Sequence, residues 1–253
     1  WQFKKFSLNE NSNVKHTIGV VSGKGGVGKS FVCQSLATEL SRQGYKVGIL
    51  DADITGPSVP SAFGISEKVL SDGKNINPAI TSTGIKLVSV NLILPNSTDP
   101  VLWRAPVVGS AISQFYQNVN WGELDYLLVD MPPGTSDVQL TVYQSIPLDG
   151  VVIVSTPQDL VQMIVEKAVK MAQMMNVKIL GLVENMSYFK CSHCNEITYI
   201  YGESKIESEA KKHDIKSTLT LPIDPNFSRM VDEGLVESLK IEGMDDFAKS
   251  LGI

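Results

Sequence analysis

Short apolar runs recur along the chain at 18–21, 47–50, 86–90, 126–129, 151–154, 179–183 and 217–221, and most are separated by stretches with helical spacing. Several of these runs are almost continuously apolar rather than alternating, the pattern of strands whose two faces are both covered. Residues 160–175 show the helical side: Gln162, Glu166, Lys170 and Gln173 follow at spacings of four, four and three, leaving the rest of the circumference apolar. That helix is expected to be largely covered, with Met163, Met171, Met174 and Met175 in the core rather than forming an adaptable groove. The alternation predicts an α/β fold, a three-layer domain over 16–253 whose mostly parallel sheet carries helices on both faces, behind a polar tail at 1–15. Residues 64–84, rich in Ser, Gly, Asn and Pro, are expected to form a long surface excursion.

Composition narrows the setting. In 253 residues, 43% are hydrophobic and 19% charged, so most of the chain should fold. A net charge of −5 offers no general attraction to nucleic acid or anionic lipid, and neither is expected as a partner. No apolar run approaches the roughly 18 residues that span a bilayer, and the polar start lacks the apolar core of a secretion signal. Three cysteines are too few, and odd in number, for a disulfide framework, which favours a soluble protein of a reducing, cytoplasmic compartment. Cys33 reads as a small buried hydrophobe of the first helix.

Between the run at 18–21 and a helical stretch at 31–42 stands Gly23-Lys24-Gly25-Gly26-Val27-Gly28-Lys29-Ser30. Gly23, Gly28, Lys29 and Ser30 satisfy the phosphate-loop pattern in the strand–loop–helix context it needs. Glycines let successive backbone N–H groups turn toward phosphates and the helix N-terminus adds partial positive charge, while Lys29 can reach the β/γ-phosphates and Ser30 can ligate Mg²⁺. Gly23, Gly25 and Gly28 also spell a dinucleotide fingerprint, with Asp51 and Asp53 near the distance of its ribose-binding acid. That motif has no use for Lys29-Ser30, whereas the phosphate loop requires both.

Ligands of open α/β sheets collect beyond the carboxyl ends of the strands, and acids recur there in this chain. Asp51 and Asp53 follow the run at 47–50; Asp130 ends Tyr-Leu-Leu-Val-Asp and leads into Met-Pro-Pro-Gly-Thr-Ser-Asp, which reads as a metal-site acid followed by a γ-phosphate-sensing switch. Any one such acid is commonly a helix cap. Three tied to a phosphate loop point to a Mg²⁺ and water-positioning site.

The loop resembles the deviant Walker A motif of a dimeric ATPase class that includes nitrogenase iron protein, MinD, ParA and Get-type ATPases, with Lys24 as its signature lysine. Asp-Ala-Asp-Ile-Thr-Gly-Pro-Ser-Val-Pro from Asp51, Val-Asp-Met-Pro-Pro-Gly-Thr-Ser-Asp-Val-Gln-Leu from Val129, Ser-Thr-Pro-Gln-Asp from Ser155, Glu-Asn-Met-Ser-Tyr-Phe-Lys-Cys-Ser-His-Cys from Glu184 and Leu-Pro-Ile-Asp-Pro from Leu221 are similar to the Mrp/ApbC branch of iron-sulfur cluster carriers or scaffolds. The resemblance runs from about residue 16 to 237. It implies that residues 23–31 and Asn185 bind ATP, with Asn185 at the adenine, and that Lys29 serves phosphate. It assigns Ser30, Asp51 and Asp130 to Mg²⁺ directly or through water, and the attacking water to Asp53. Lys24 would reach across a homodimer interface to the partner's nucleotide. The chain departs from the class at Phe31, usually a second hydroxyl residue, and at Ser136, usually Gly. Loss of a hydroxyl bond to the α-phosphate would weaken binding by ~1 kcal/mol, roughly fivefold; Ser136 would stiffen the switch.

Cys191-Ser-His-Cys194 carries a second chemistry. Alone it reads as a redox dithiol, half a zinc site, half a cluster site or two ordinary thiols. A tetrathiolate needs four cysteines and one chain offers two in place; a two-fold axis beside the motif would supply the other pair. With the resemblance, a subunit-bridging [4Fe-4S] cluster is favoured over zinc, and the chain reads as a slow Mg²⁺-dependent ATPase that carries clusters to apoproteins. A MinD/ParA-like positioning ATPase and, from the glycine fingerprint alone, a nicotinamide-dependent oxidoreductase are the competing readings.

Overall fold

The computed structural model describes residues 5–53, 58–66, 69, 75–89, 92, 105–134, 137–158 and 163–252. The chain begins with β1 (Ser12–Ser22), α1 (Lys29–Arg42), β2 (Val47–Asp51), the short α2 (Val59–Ala62), β3 (Ala79–Ile80) and β4 (Lys86–Ser89). It continues through α3 (Ala105–Gln117), β5 (Gly122–Asp130), α4 (Asp137–Ser145), β6 (Gly150–Ser155), α5 (Met163–Met174) and β7 (Lys178–Lys190). After the two-residue β8 (Ile197–Thr198) come α6 (Ile206–Lys212), β9 (Ser217–Pro222), α7 (Pro225–Asp232) and α8 (Met244–Ser250). The sheet order is β3-β4-β2-β5-β1-β6-β7, with β9 parallel to β7; among the described residues only β3 and β8 run antiparallel to their neighbours.

Alternation within the continuous apolar runs splits the core into two layers. On β5, Leu127 and Val129 face one cluster and Tyr126 and Leu128 the other; on β6, Val151 and Ile153 oppose Val152 and Val154. The first layer is closed by α3, α4, α5 and α6 through Ile112, Tyr143, Val169 and Ile206, the second by α1, α2 and α8 through Leu36, Ala62 and Phe247. This is the expected three-layer α/β fold, and it directs the carboxyl ends of β1, β2, β5, β6 and β7 to one edge.

Three expectations shift in detail. β1 starts at Ser12, paired with Gly122, and Phe6 and Leu8 pack against the core, so the polar stretch before residue 16 is partly recruited by its few apolar side chains. Residues 75–84 are not all excursion: Ile76 bridges to Val119 and β3 pairs with β4, while 67, 68 and 70–74 lie outside the described residues. Met171 in α5 and Met175 just after it pack on the core as expected, but Met174, the last residue of the helix, is 78% exposed; the side chain of Met163 lies outside those described. Cys33 is fully buried.

Candidate functional site

Where β1 ends, the chain turns through residues 23–28 into α1, whose orphan N–H groups face the turn. Gly26 and Gly28 take φ of 80° and 82°, the left-handed region. Gly28 has a further constraint, since a Cβ there would overlap the Asn185 amide. Asn185, buried at the carboxyl end of the inter-strand part of β7, donates through Nδ2 to Val27 O at 3.0 Å, holding the loop from the far side. Gly134 N–H donates to Ser22 O at 3.0 Å, which ties the start of the switch to the base of the same loop.

Beneath the loop lies a buried charged cluster. Lys29 Nζ donates to Asp130 Oδ1 at 2.5 Å and lies 3.4 Å from Asp53 Oδ2. Lys29 is 5% exposed and Asp130 fully buried. Burial works against the ammonium, but Asp130 and then Asp53 outweigh it, so the lysine pKa is raised and the ammonium stays charged. Asp51, paired in register with Asp130 across β2 and β5, accepts from Ser89 Oγ at 2.8 Å and from Asp53 N–H at 3.1 Å. Burial first, and the charge of Asp130 second, push the Asp51 carboxyl well above its usual value. Burial raises Asp130 too, against the pull of Lys29 and Ser30.

Three hollows open around this cluster. A cavity of about 340 Å³ is lined by Gly25, Gly26, Lys29, Ser30 and Asp53. A neighbouring hollow of about 360 Å³, more apolar in its side chains, is lined by Phe31, Asn185, Ile223, Phe227 and Val231; Gly28, Phe31 and Val231 belong to both. Beyond the second, across Pro222 to Pro225, a groove of about 810 Å³ has Cys191 on its rim. β7 runs on past Asn185 and Met186, whose φ of 57° re-aims the strand, to Lys190 and then Cys191. Cys191 is partly exposed and Cys194 exposed, and all three cysteines are free thiols. The N–H groups of Cys194 and His193, with the Cys194 thiol, hold the Cys191 thiol below its usual pKa, which favours the thiolate that binds metals. Among the described residues no group of three or more His, Cys, Asp or Glu is arranged to hold a metal ion.

The structure thus gathers Gly25, Gly26, Val27, Gly28, Lys29, Ser30, Phe31, Asp51, Asp53, Asp130 and Asn185 around one crevice, with Gly23 at the start of the loop. Lys24, in the same loop, is exposed. Cys191 and Cys194 lie apart, at the outer end of β7, and Thr135 and Ser136 fall outside the described residues. Sequence reading missed Ser89, which anchors Asp51, and Phe227, which stacks on Phe31. Ser89 meets Asp51 only through the pairing of β2 with β4, and Phe227 follows the Leu-Pro-Ile-Asp-Pro motif by two residues, with nothing local to mark either one.

A mostly parallel sheet with helices on both faces and a phosphate loop at its carboxyl edge defines a P-loop NTPase. The chain belongs to the NUBPL iron-transfer P-loop NTPase family within the ParA group, whose family model matches residues 13–250. It is 48% identical over 238 residues, 91% of this chain and 84% of the relative, to the iron-sulfur cluster carrier protein of Clostridium perfringens. A nucleotide-binding protein of Archaeoglobus fulgidus, solved with ADP, superposes with a TM-score of 0.84 at 43% identity over 92% of each chain. MinD in the MinC:MinD complex of Aquifex aeolicus matches at 18% identity, TM-score 0.66, over 92% of this chain and 94% of its own, a likeness of fold.

Two stability measurements check the charged cluster in metal-free, nucleotide-free protein. Lys29→Ala strands Asp130 in the interior and should destabilise the fold by ~3–5 kcal/mol in urea unfolding, with Asp130→Asn in the same chain recovering much of the loss. The Asp51 carboxyl binds its proton more tightly folded than unfolded. Stability attached to it is therefore present below the unfolded value, 3.8, and is lost as pH rises through the higher folded pKa. Asp51→Asn should melt above wild type at about pH 7, with the gap closing toward about pH 4.

Proposed function

We propose that this chain is an ATP-binding, slowly hydrolysing carrier that holds a [4Fe-4S] cluster between two copies of itself and delivers it to apoproteins. The observation that carries the reading is the pair of accessible thiols, one with a depressed pKa, at the end of the strand that also lines the nucleotide hollow. Two thiols per chain make half of a tetrathiolate, and a two-fold axis at Cys191 and Cys194 completes it. Ile197, Tyr199, Ile200 and Tyr201, all between 42% and 53% exposed, follow soon after the cysteines and suit burial by the second copy. Exposed Lys24 fits a role across that two-fold axis, at the partner's nucleotide.

At the nucleotide, loop N–H groups and the α1 terminus receive the phosphates. Lys29 exchanges Asp130 and Asp53 for the β/γ-phosphates, trading one anionic partner for another and keeping its charge. Release of Lys29 frees the Asp53 carboxylate to orient water and to accept a proton from it. Ser30, Asp51 and Asp130 form a hard oxygen set that suits Mg²⁺, directly or through water, and the ion would neutralise charge on the β- and γ-phosphates. Asn185, which lines the second hollow beside the loop, is assigned to adenine in this reading.

A membrane-positioning role finds no support in the C-terminal helix. Among the described residues no helix is long and apolar enough to cross a membrane, and α8 buries Met244, Phe247 and Ala248 against the core, exposing Asp245, Asp246 and Lys249 instead. Free thiols fit a reducing, cytoplasmic setting.

Asp53→Ala should keep nucleotide binding in titration and lose phosphate release by about 10²-fold or more; wild-type turnover would remove its assignment. Anaerobic reconstitution with iron and sulfide should give a brown dimer with a broad sulfur-to-iron absorption and about four irons per two chains. Cys191→Ser or Cys194→Ser should each abolish the band, whereas Cys33→Ser should keep it. Zinc bound tightly at one ion per dimer, with no iron-sulfur band, would overturn the carrier reading.

A further inference from the structure

Phe31 occupies the position after Ser30, where the class resembled by the loop usually has a hydroxyl, and the structure gives its ring a definite place. It is half-buried, packs against the core and stacks on Phe227, ring centroids 5.2 Å apart and planes inclined by 29°. Phe227 comes from the first turn of α7, a helix started by Asp224, whose carboxylate accepts from Asn226 N–H at 2.8 Å. No residue of α7 is fully buried: Phe227 and Val231 pack against the core on one side and line an open hollow on the other. Asn185 lines the same hollow, and Phe31 borders both it and the phosphate cavity.

From this arrangement we infer that Phe31 and Phe227 form an aromatic platform for the base of the bound adenine nucleotide, placing in base contact the affinity that a hydroxyl at 31 would draw from the α-phosphate. The inference rests on the nucleotide-binding reading and adds to it the residues that select a nucleoside. A base stacked on an aromatic side chain strengthens binding roughly five- to hundredfold. The hydroxyl bond it replaces is worth about fivefold. Total affinity is therefore maintained or raised, while its source moves from the phosphates, which a bare polyphosphate shares, to the base, which it lacks. Discrimination between ATP and inorganic tripolyphosphate becomes the property that Phe31 and Phe227 set.

The test compares the affinities of the intact chain for ATP and for inorganic tripolyphosphate, both with Mg²⁺, by titration calorimetry. Phe227→Leu, which keeps an apolar side chain on the core, should weaken ATP about tenfold and leave tripolyphosphate unchanged. Phe31→Thr should lower the ratio of ATP to tripolyphosphate affinity by a similar factor, with tripolyphosphate held more tightly than by wild type. An unchanged ratio in both variants overturns the platform. So does equal tightening of both ligands by Phe31→Thr, which would make the ring a plug. Phe227→Trp keeps the stack should the other variants unfold: its added fluorescence should be quenched by ATP and not by tripolyphosphate, and the absence of an ATP-specific change also overturns the proposal. Wild type that binds neither ligand defeats the nucleotide reading itself; wild type that binds both, with an invariant ratio, defeats the platform alone.

Discussion

The buried pair of Lys29 and Asp130 is the constraint around which the crevice is arranged. Asp130 ends β5, stands in register with Val20 of β1 and Asp51 of β2, and accepts Ala52 N–H through its carbonyl at 2.9 Å. Lys29 opens α1. Their contact therefore fastens the phosphate loop to the centre of the sheet and fixes β2 alongside. An isolated ammonium or carboxylate at this depth costs several kcal/mol, so neither group can leave the other without a new partner of the right sign. For Lys29 an incoming phosphate is such a partner. For the carboxylates left behind, a cation is. The elevated Asp51 pKa shows the strain in its present form: three acids share a pocket in which one ammonium supplies the countercharge.

A second constraint comes from the length of β7. Most of the parallel strands stop at the crevice, but β7 extends for 13 residues, first beside β6 and β9 and then, beyond Asn185, as an arm that carries the cysteines. Its ladder with β9 is interrupted between Glu184 and Tyr188, where Met186 takes a left-handed conformation. At the same point Ser187 Oγ donates to the buried Glu184 carboxylate at 2.5 Å, an internal bond that stabilises the irregular turn. The break frees the Asn185 side chain from the sheet's alternation and lets it meet the phosphate loop, at the cost of a non-glycine residue at positive φ.

Legibility in the sequence followed how local the determining physics was. Doubly covered strands announce themselves by unbroken apolar runs, so the layers and the parallel sheet could be read, and the phosphate loop carries its own chemistry in eight consecutive letters. Asp51, Asp53 and Asp130 were readable because strand ends are where such sheets bind ligands. β7 was read as 179–183 because its far half, Tyr188 to Lys190, lacks an apolar run and is held by pairing with Pro222 and β8, a tertiary cause. The Phe31–Phe227 stack joins residues 196 positions apart, and Ser89 reaches Asp51 across two strands; neither contact leaves a trace in local pattern. Even the ion pair was legible only as two separate candidates, since nothing in the sequence says that Lys29 meets Asp130.

The arm gives the carrier reading a thermodynamic consequence. Asn185 touches the loop that would hold phosphate, and Cys191 lies six residues further along the chain, just past the end of the same strand, a reach of at most about 20 Å in extended chain. A displacement of Asn185 by nucleotide has a covalent route to the thiols, whereas a displacement of α1 must cross the packed sheet. Coupling between two sites is reciprocal: a nucleotide that alters the hold on a cluster by some factor has its own affinity altered by the cluster through the same factor. Nucleotide affinity measured on the cluster-free chain and on the loaded dimer therefore reports the coupling without any client protein. Equal affinities would mean that the arm transmits no equilibrium preference, leaving turnover alone to give direction to transfer.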